Sequence, residues 1–371
     1  MKRLLILACV ALAICTACNR QEKKAVVDTK DTFRLLVNRG GKYGYCDRNG
    51  NLVISPQFEH ASLFSEGLAA VHVNGKDGYI DPSGTMVIQP RFDAASIFRE
   101  GKAAVLFGDR WGYIDHTGKL VTEPHLVSTF FFNEGLASAF VIESKAKEKG
   151  MAAKHGAGDE PKVKAGYIDE KGKFTIKPQF DDAAIFSEGT AAVKVDKKYG
   201  YIDRNGKMVI PPMFDQAMPF YDGLAMVMIN GKYGMSGFID HTGAMVIPAQ
   251  YVSATNFHEG VAAVKMKDAW YLIDTSGKQI INREFHSATV FTEGLAPVMV
   301  DKKVGYIDKQ GKMVIKPQFD AGSIFVNGLA PVQVGKKCGF IDKQGTMVIK
   351  PEYDWDQRII DLFTNYYTTF K

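Results

Sequence analysis

A 34-residue period runs through most of this 371-residue chain and limits what it can fold into. An aspartate that follows Gly-Tyr-Ile, or a variant of it, marks the period at nine positions: Asp47, Asp81, Asp115, Asp169, Asp203, Asp240, Asp274, Asp308 and Asp342. Six of the eight intervals between them are 34 residues long, and the other two are 54 and 37. Self-similarity at a fixed period indicates a repeat protein. A single copy is too small to bury its own core, so neighbouring copies must pack on one another.

Each marker aspartate begins a β-hairpin turn. A glycine follows it three residues later, as in Asp203 and Gly206, and apolar segments such as Tyr201-Ile202 and Met208-Val209-Ile210 flank the pair. Aspartate at the first turn position accepts backbone N–H groups, and glycine adopts the left-handed conformation that other residues resist. Turn chemistry explains the nine aspartates, so they are not predicted to bind calcium.

The remainder of the unit predicts further strands. A Pro-x-Phe-Asp step, such as Pro178 to Asp181, ends the second strand because proline cannot donate a hydrogen bond to a sheet. An Ala-x-x-Phe segment then leads to a second glycine turn, as at Glu188-Gly189, and to a third apolar strand. The sequence therefore predicts an all-β fold, a tandem array of about nine 34-residue β-hairpin repeats with three strands each.

These units, with the pattern Lys-x-Gly-Tyr-Ile-Asp-x-x-Gly-x-x-Val-Ile-x-Pro-x-Phe-Asp, resemble the WG repeats (also called KWG repeats) of bacterial proteins. Trp111-Gly112 shows the pair that gives the repeat its name, whereas most other copies replace the tryptophan. The resemblance covers about residues 32–355. It implies an all-β repeat array, often carried by secreted or lipid-anchored proteins, and it implies no shared active site.

The two ends of the array bear on whether it closes. Residues 33–37 resemble the third strand of a unit, and the last copy lacks such a strand, so in a closed, propeller-like ring the leading strand would complete the final blade. Propeller blades, however, usually have four strands and about 40–45 residues, and rings have four to eight blades. An open, curved, solenoid-like array is therefore expected, with the closed ring as the alternative and residues 356–371 as a cap. Cys46 and Cys338 point to opposite faces, so no ring-closing disulfide is expected.

Residues 1–17 have the features of a secretory signal. Two basic residues precede an apolar run that is too short to span a membrane. The ending Cys15-Thr16-Ala17-Cys18 resembles a bacterial lipobox, although leucine is more usual where Cys15 stands. We therefore predict a lipid anchor on Cys18, which attaches the chain to a membrane, a tether over residues 18–31 and a location in the cell envelope. Asn19 follows the anchor instead of aspartate, which favours the outer membrane over the inner membrane.

Composition and spacing exclude several function classes. The formal net charge is +5 and basic and acidic residues are interspersed, so nucleic acid is not an expected partner. The spacing from Gly112 to Lys119 is too long for a phosphate loop and lacks its Ser or Thr, so no nucleotide is expected. His116 and His241 are interpreted as solvated turn residues, and no metal, cofactor or catalytic residue is predicted. The long interval contains an insertion at about residues 144–164, which is interpreted as a loop.

Departures from the repeat are the better candidates for function. The seventh copy has Tyr271, after Trp270, where the other copies have glycine, and Trp111 and Tyr113 share one face of the third copy. These four aromatic residues are the candidate binding residues. We expect a non-catalytic lipoprotein that binds an envelope protein or glycan through its repeat surface. Binding of peptidoglycan or another polysaccharide is one alternative, and an envelope hydrolase with a site assembled between repeats is another.

Overall fold

The structure is a computed structural model that describes residues 32–143, 162–229, 234–281 and 283–370. The predicted signal at 1–17, the anchor at Cys18, its tether and most of the insertion at about 144–164 lie outside the described residues. Within them, the chain forms nine small antiparallel sheets followed by a C-terminal helix. None of these residues belongs to a helix with the length and apolar character that crossing a bilayer requires. The prediction of an all-β repeat fold is confirmed.

The nine sheets are the blades of a β-propeller and follow one another along the chain. Their strands have the following bounds: blade 1, β1 (Leu35–Arg39), β2 (Lys42–Cys46) and β3 (Leu52–Phe58); blade 2, β4 (Ala69–Val73), β5 (Lys76–Ile80) and β6 (Met86–Phe92); blade 3, β7 (Ala94–Ala95), β8 (Ala103–Phe107), β9 (Arg110–Ile114) and β10 (Leu120–Leu126); blade 4, β11 (Ser128–Thr129), β12 (Leu136–Ile142), β13 (Val163–Asp169) and β14 (Phe174–Phe180); blade 5, β15 (Asp182–Ala183), β16 (Thr190–Val195), β17 (Lys198–Asp203) and β18 (Met208–Phe214). The remaining strands are, in blade 6, β19 (Gln216–Ala217), β20 (Ala225–Ile229), β21 (Met235–Ile239) and β22 (Met245–Tyr251); blade 7, β23 (Ser253–Ala254), β24 (Val261–Met266) and β25 (Ala269–Asp274); blade 8, β26 (Ser287–Ala288), β27 (Leu295–Val300), β28 (Lys303–Asp308) and β29 (Met313–Phe319); and blade 9, β30 (Ala321–Gly322), β31 (Ala330–Val334), β32 (Lys337–Ile341) and β33 (Met347–Asp354). Helix α1 (Gln357–Phe370) follows blade 9.

A blade of four strands fits into 34 residues because its inner strand is very short. This strand, nearest the centre of the ring, has two residues, and a single residue separates it from the outer strand of the preceding blade. Thus β6 ends at Phe92 and β7 begins at Ala94. Two residues carry no alternating pattern, so the prediction of three strands per repeat missed this strand. The requirement for 40–45 residues per blade does not hold here for the same reason.

The ring closes between blade 9 and blade 1, so the expectation of an open, solenoid-like array is wrong and the closed ring is correct. Between successive blades, the hairpin glycine of one blade lies on an isoleucine of the preceding blade, as Gly206 lies on Ile176. Gly50 of blade 1 lies on Ile349 of blade 9 in the same way. Strand β1 pairs with β2 inside blade 1 and does not complete the last blade.

The aspartate of the Pro-x-Phe-Asp step makes a second repeated contact between blades. Asp181 accepts hydrogen bonds from Lys164 Nζ of blade 4 at 2.6 Å and from the backbone N–H of Asp196 in blade 5 at 3.2 Å. At the junction, Asp354 accepts hydrogen bonds from Lys337 Nζ of blade 9 at 2.6 Å and from the N–H of Gly40 in blade 1 at 2.7 Å. The junction therefore has the geometry of an internal blade interface.

We expect these contacts to make the fold sensitive to acid. The Lys164 ammonium lowers the pKa of Asp181, and Lys337 lowers the pKa of Asp354. A carboxyl whose folded pKa is lowered stabilises the fold above its unfolded pKa of about 3.9, and this contribution disappears as the pH falls through the folded value. The free energy of unfolding, measured from pH 7 to pH 2, should decline below about pH 4. Asp354→Asn should reduce this decline and cost less than about 1 kcal/mol at pH 7, because the pair is exposed; an identical pH profile would contradict the assignment.

The hairpin turn needs glycine for two reasons, which Gly206 illustrates. Its φ angle is +81°, and a Cβ atom on it would lie 3.0 Å from Cγ2 of Ile176. Asp203 Oδ1 accepts the backbone N–H groups of Asn205 and Lys207 at 2.9 Å each. The predicted hairpin turn is confirmed, and its glycine also provides the surface on which the preceding blade packs.

Gly206→Ala should destabilise the protein by roughly 1–2 kcal/mol through the left-handed backbone alone, and the contact with Ile176 should add to that cost. Gly189→Ala is the matched control, since Gly189 has a φ of +78° but no atom within 4 Å of the place that a Cβ would occupy. Chemical denaturation measures both changes. We expect the larger loss at Gly206, and an unfolding curve unaffected by Gly206→Ala would refute the hairpin assignment.

Blade 7 departs from the others because two coupled positions change together. In blade 4, a Cβ on Gly166 would lie 2.5 Å from the carbonyl oxygen of Ile176 and 2.7 Å from the nitrogen of Pro178, so the outer strand bulges closely over a glycine. Blade 7 has Tyr271 in place of this glycine and Arg283 in place of the proline. In the described residues, its outer edge retains only isolated bridges to β25, such as Trp270 with Phe285. The tyrosine side chain therefore displaces the outer strand.

Helix α1 packs at the inner side of the ring junction. Asp356, just before the helix, accepts hydrogen bonds from Tyr43 Oη at 2.6 Å and Asn38 Nδ2 at 2.8 Å, both in blade 1. Ile359 and Phe363 are buried in the hydrophobic core that blades 1 and 9 share. The helix thus packs against β1, the innermost described strand of blade 1, and it adds apolar contacts to the closure of the ring.

The two cysteines of the described chain are free, buried thiols at the same junction. Cys46 of blade 1 and Cys338 of blade 9 belong to one hydrophobic core. Their side chains point to opposite faces of their own sheets, but in a ring those faces of neighbouring blades meet. Burial raises the pKa of each thiol to about 12, so both stay protonated at neutral pH and pack as small apolar groups.

The central channel as candidate functional site

The inner strands enclose a cavity of about 690 Å³, which we call the central channel. The channel is lined by residues at the inner edges of blades 2–7, by residues that follow them in the sequence, and by Leu362 of α1. Most of its larger side chains are apolar: Ile97, Phe130, Phe131, Ile185, Met218 and Pro219. Phe130 and Met218 are 45% and 42% exposed, although both lie in the interior of the ring. A concave apolar surface of this size is typical of a ligand site.

Buried tyrosines from the Gly-Tyr-Ile motif hold the channel wall in place. Tyr201 of blade 5 donates a hydrogen bond to the carbonyl oxygen of Met218 in blade 6 at 2.8 Å, and its ring is tilted by 60° against Phe220 at 5.0 Å between centroids. Tyr167 donates to Ala184 of the next blade at 2.8 Å in the same way. Burial raises the pKa of Tyr201 far above its usual value, so the hydroxyl remains a donor. The wall is therefore fixed by contacts between blades.

One end of the channel has an acidic rim, which we call the mouth. It is a second cavity of about 470 Å³, lined by the Glu-Gly turns of blades 3–7, and Tyr221 lines both this cavity and the channel. Its carboxylates belong to Glu100, Glu134, Glu188, Asp222 and Glu259. The mouth and the channel therefore meet at Tyr221, with acidic groups on one side and apolar groups on the other.

The carboxylate of each Glu-Gly turn also joins neighbouring blades. Glu188 of blade 5 has a φ of +51° and accepts the N–H of Gly223 in blade 6 at 3.1 Å. Glu259 of blade 7 accepts the N–H of Gly294 in blade 8 at 3.0 Å. Sequence analysis interpreted the pair only as a glycine turn. The Glu-Gly pair recurs at the same place in each repeat, and this recurrence is the sequence signal for a structural contact.

Basic side chains from the hairpin tips pair with some of these carboxylates. His241 Nε2 lies 3.0 Å from Glu188 and its ring stacks on Phe220 at 4.0 Å. His116 Nε2 lies 3.1 Å from Glu66 of blade 2, and its ring stacks on Phe98 of its own blade at 4.4 Å. Both histidines lie in hairpin turns with side chains 42% and 40% exposed, and each also bridges two blades.

Two carboxylates of the mouth have no basic partner among the described residues. Arg204 lies 4.0 Å from Glu134, and Lys309 lies 3.1 Å from Glu259. The equivalent hairpin tips facing Glu100 and Asp222 carry Glu170 and Thr275 instead of a base. Glu100 and Asp222 accept backbone N–H groups, at 2.8 and 2.7 Å, but neither forms an ion pair with a basic side chain of the described residues. The mouth therefore keeps an excess of negative charge.

The four aromatic candidates from the sequence lie apart, in blades 3 and 7. Tyr113 is 1% exposed, and its hydroxyl donates to the carbonyl oxygen of Phe130, so it supports the channel wall from behind. Trp111 is half-buried beside the same core. Tyr271 lines an outer pocket of about 430 Å³ and donates to Glu284 at 2.6 Å, whereas the neighbouring Trp270 packs on the core of blade 8. The structure does not bring these residues together.

Sequence reasoning missed the channel residues, because they come from six blades and one helix. Several of them occupy the variable positions of the Ala-x-x-Phe segment, where Phe130 and Phe131 of blade 4 depart from the other copies. That variability was the available signal. Among the described residues, no three His, Cys, Asp or Glu side chains come together as ligands for a metal ion.

Comparison with solved structures finds matches at low sequence identity. The crystal structure of a eukaryotic initiation factor has 12% sequence identity and a TM-score of 0.54, and the match covers 76% of this chain and 84% of that one. Hsv2p of Kluyveromyces lactis has 9% identity and a TM-score of 0.38, over 75% of this chain and 90% of that one. The first likeness shows a shared fold and nothing about function.

Comparison by sequence shows the family. No curated protein matches the chain. The WG containing repeat matches nine segments, at residues 43–76, 78–111, 111–141, 166–199, 199–233, 237–270, 272–303, 305–338 and 339–361. Since these segments span most of the chain, the protein belongs to the WG containing repeat family.

Proposed function

We propose that this protein is a non-catalytic binding module in which the ring is a rigid frame and the central channel holds the ligand. The observation that carries the proposal is the cavity of about 690 Å³ with exposed apolar side chains such as Phe130 and Met218. Apolar side chains left exposed in a concave surface favour a bound apolar group. Hydrogen bonds from buried tyrosines keep the wall in shape without the ligand, which lowers the entropy cost of binding.

The arrangement of the carboxylates supports binding more than hydrolysis. A hydrolase site would need acidic side chains that converge on one point of a substrate. Glu134, Glu188 and Glu259 are each held by a backbone N–H of the next blade and by a basic side chain. These carboxylates therefore have structural partners that account for their positions.

We further propose that the ring is carried in the cell envelope, on the outer membrane, by the lipid anchor at Cys18, and that its partner is an envelope protein or glycan. The lipobox-like ending and Asn19 support this location. Metabolic labelling with radioactive palmitate tests it. Cys18→Ser should abolish the label and release the protein from the membrane fraction, whereas an unlabelled wild-type chain would refute the anchor.

A neutral apolar probe tests the channel as the binding site. N-Phenyl-1-naphthylamine should bind the wild-type protein with enhanced fluorescence, and Met218→Glu should weaken binding by at least about tenfold, or about 1.4 kcal/mol. Met213→Glu is the matched control, because Met213 is also exposed, at 55%, but lies on outer strand β18. Equal binding by wild type and both variants would refute the channel as the site.

A further inference from the structure

We infer that the ligand of the central channel is an amphiphilic organic cation, with an apolar body in the channel and an ammonium or guanidinium group held by Asp182. This inference rests on the proposed function, since it names the chemical class of the ligand for the same site. The supporting observations are the charges of the channel wall and of the mouth, and the aromatic rings that line the channel.

Asp182 is the one charged side chain that lines the channel within the described chain. Its Oδ2 accepts a hydrogen bond from Tyr199 Oη at 2.5 Å, and its Oδ1 accepts the N–H of Ala183 at 2.9 Å. The neighbouring Asp181, by contrast, pairs with Lys164 at 2.6 Å outside the channel. A carboxylate in an apolar cavity is costly unless a cation accompanies it.

Lys194 is the basic residue nearest to Asp182 in the sheet register, yet the two form no ion pair. The residues face each other across β15 and β16. The Lys194 ammonium lies over the ring of Tyr199 instead, 5.3 Å from its centroid. The charge of Asp182 is therefore left for a group that enters the channel.

The mouth adds negative charge along the route to Asp182. Its carboxylates outnumber the bases that pair with them, because Glu100 and Asp222 form no ion pair with any base in the described part of the chain. Arg99, the arginine of the mouth, donates to the carbonyl oxygen of Phe132 at 3.1 Å and to the side-chain oxygen of Asn133. An acidic rim around an apolar cavity raises the local concentration of cations and repels anions.

Aromatic rings complete the match to an organic cation. Phe130, Phe131 and Tyr221 also line the channel. The faces of such rings attract ammonium groups, and the attraction is larger where water is excluded. A neutral apolar ligand would use the rings and leave Asp182 uncompensated, and an anionic ligand would be repelled by both the wall and the mouth.

Three probes with the same ten-carbon chain test the charge preference: decyltrimethylammonium, decanol and decanoate. Titration of the purified full-length chain in detergent-free buffer should show that the cation binds at least about tenfold more tightly than either other probe. Asp182→Asn should reduce the affinity for the cation to that for decanol and leave decanol binding unchanged. Asp109→Asn is the control, because Asp109 is a carboxylate whose side chain is 83% exposed, in a turn of blade 3. It should change neither.

The outcomes separate the inference from the proposed function. Equal binding of all three probes, sensitive to Met218→Glu, would overturn the cation preference and leave the channel as a binding site. Absence of binding by every probe would overturn both. If Asp182→Asn does not fold, the wild type still decides the question: raising the salt concentration should weaken binding of the cation and not of decanol, and equal salt effects on both probes would overturn the inference.

Discussion

Replacing Ile349 by alanine is expected to lower the free energy of unfolding by about 2–5 kcal/mol, the range for removing a buried isoleucine side chain. Ile349 is 2% exposed in blade 9 and packs against Gly50 of blade 1. Ile176, which packs against Gly206 inside the array, is 4% exposed, so Ile176→Ala should cost a similar amount. The loss arises because the side chain leaves a cavity between two blades.

Equilibrium denaturation of both variants decides between a ring and an open array. In an open array Ile349 would lie on the free face of the last unit, and its truncation would cost about 0.5 kcal/mol or less, as for a surface residue. Val348→Ala is the control, since Val348 is the adjacent residue and is 37% exposed. It should cost less than about 1 kcal/mol. A loss at Ile349 no larger than that at Val348 would contradict closure.

Phe363→Ala should have the second large effect, a loss of about 3–5 kcal/mol in the free energy of unfolding. Phe363 is 4% exposed and belongs to the core that joins blades 9 and 1. Its removal leaves a cavity between α1 and both blades. The C-terminal helix therefore contributes to the closure of the ring.

Leu362 is the matched control for Phe363, because it is the preceding residue of the same helix and is 40% exposed, facing the channel. Leu362→Ala should change stability by less than about 1 kcal/mol while altering binding of the naphthylamine probe. Thermal melting and probe titration of both variants measure these effects. Equal destabilisation by the two substitutions would show that α1 does not pack as described.

Local turn chemistry made much of the fold predictable. The Asp-x-x-Gly spacing predicted the hairpins, and Asp203 and Gly206 occupy the expected turn positions. The inner strand could not be predicted, because two residues such as Ala94-Ala95 carry no period. Without that strand the unit looked too short for a propeller blade, and the array was therefore expected to stay open. Closure depends on contacts such as Gly50 with Ile349, about three hundred residues apart in the chain.

The candidate site was less predictable than the fold. Channel residues such as Phe130, Asp182 and Met218 come from different blades, and the ring geometry alone brings them together. Tyr113 looked like a surface residue because alternation places it beside Trp111, but both faces of a propeller blade are covered by neighbours. Its buried hydroxyl supports Phe130 instead. The repeat period and the alternation of apolar residues indicate local structure. They do not indicate which face of a strand is covered by another blade.

A distance across the junction tests the central claim, a closed ring of nine blades around a channel. Arg39 of blade 1 and Glu352 of blade 9 are exposed, and their side chains lie 3.5 Å apart. Nitroxide labels at Arg39→Cys and Glu352→Cys, in a variant whose native cysteines are replaced by alanine, should show strong dipolar broadening, because the two positions are neighbours across the junction. In an open array, eight interfaces of about 10 Å each would separate the labels by up to roughly 80 Å, and spectra without broadening would contradict the ring.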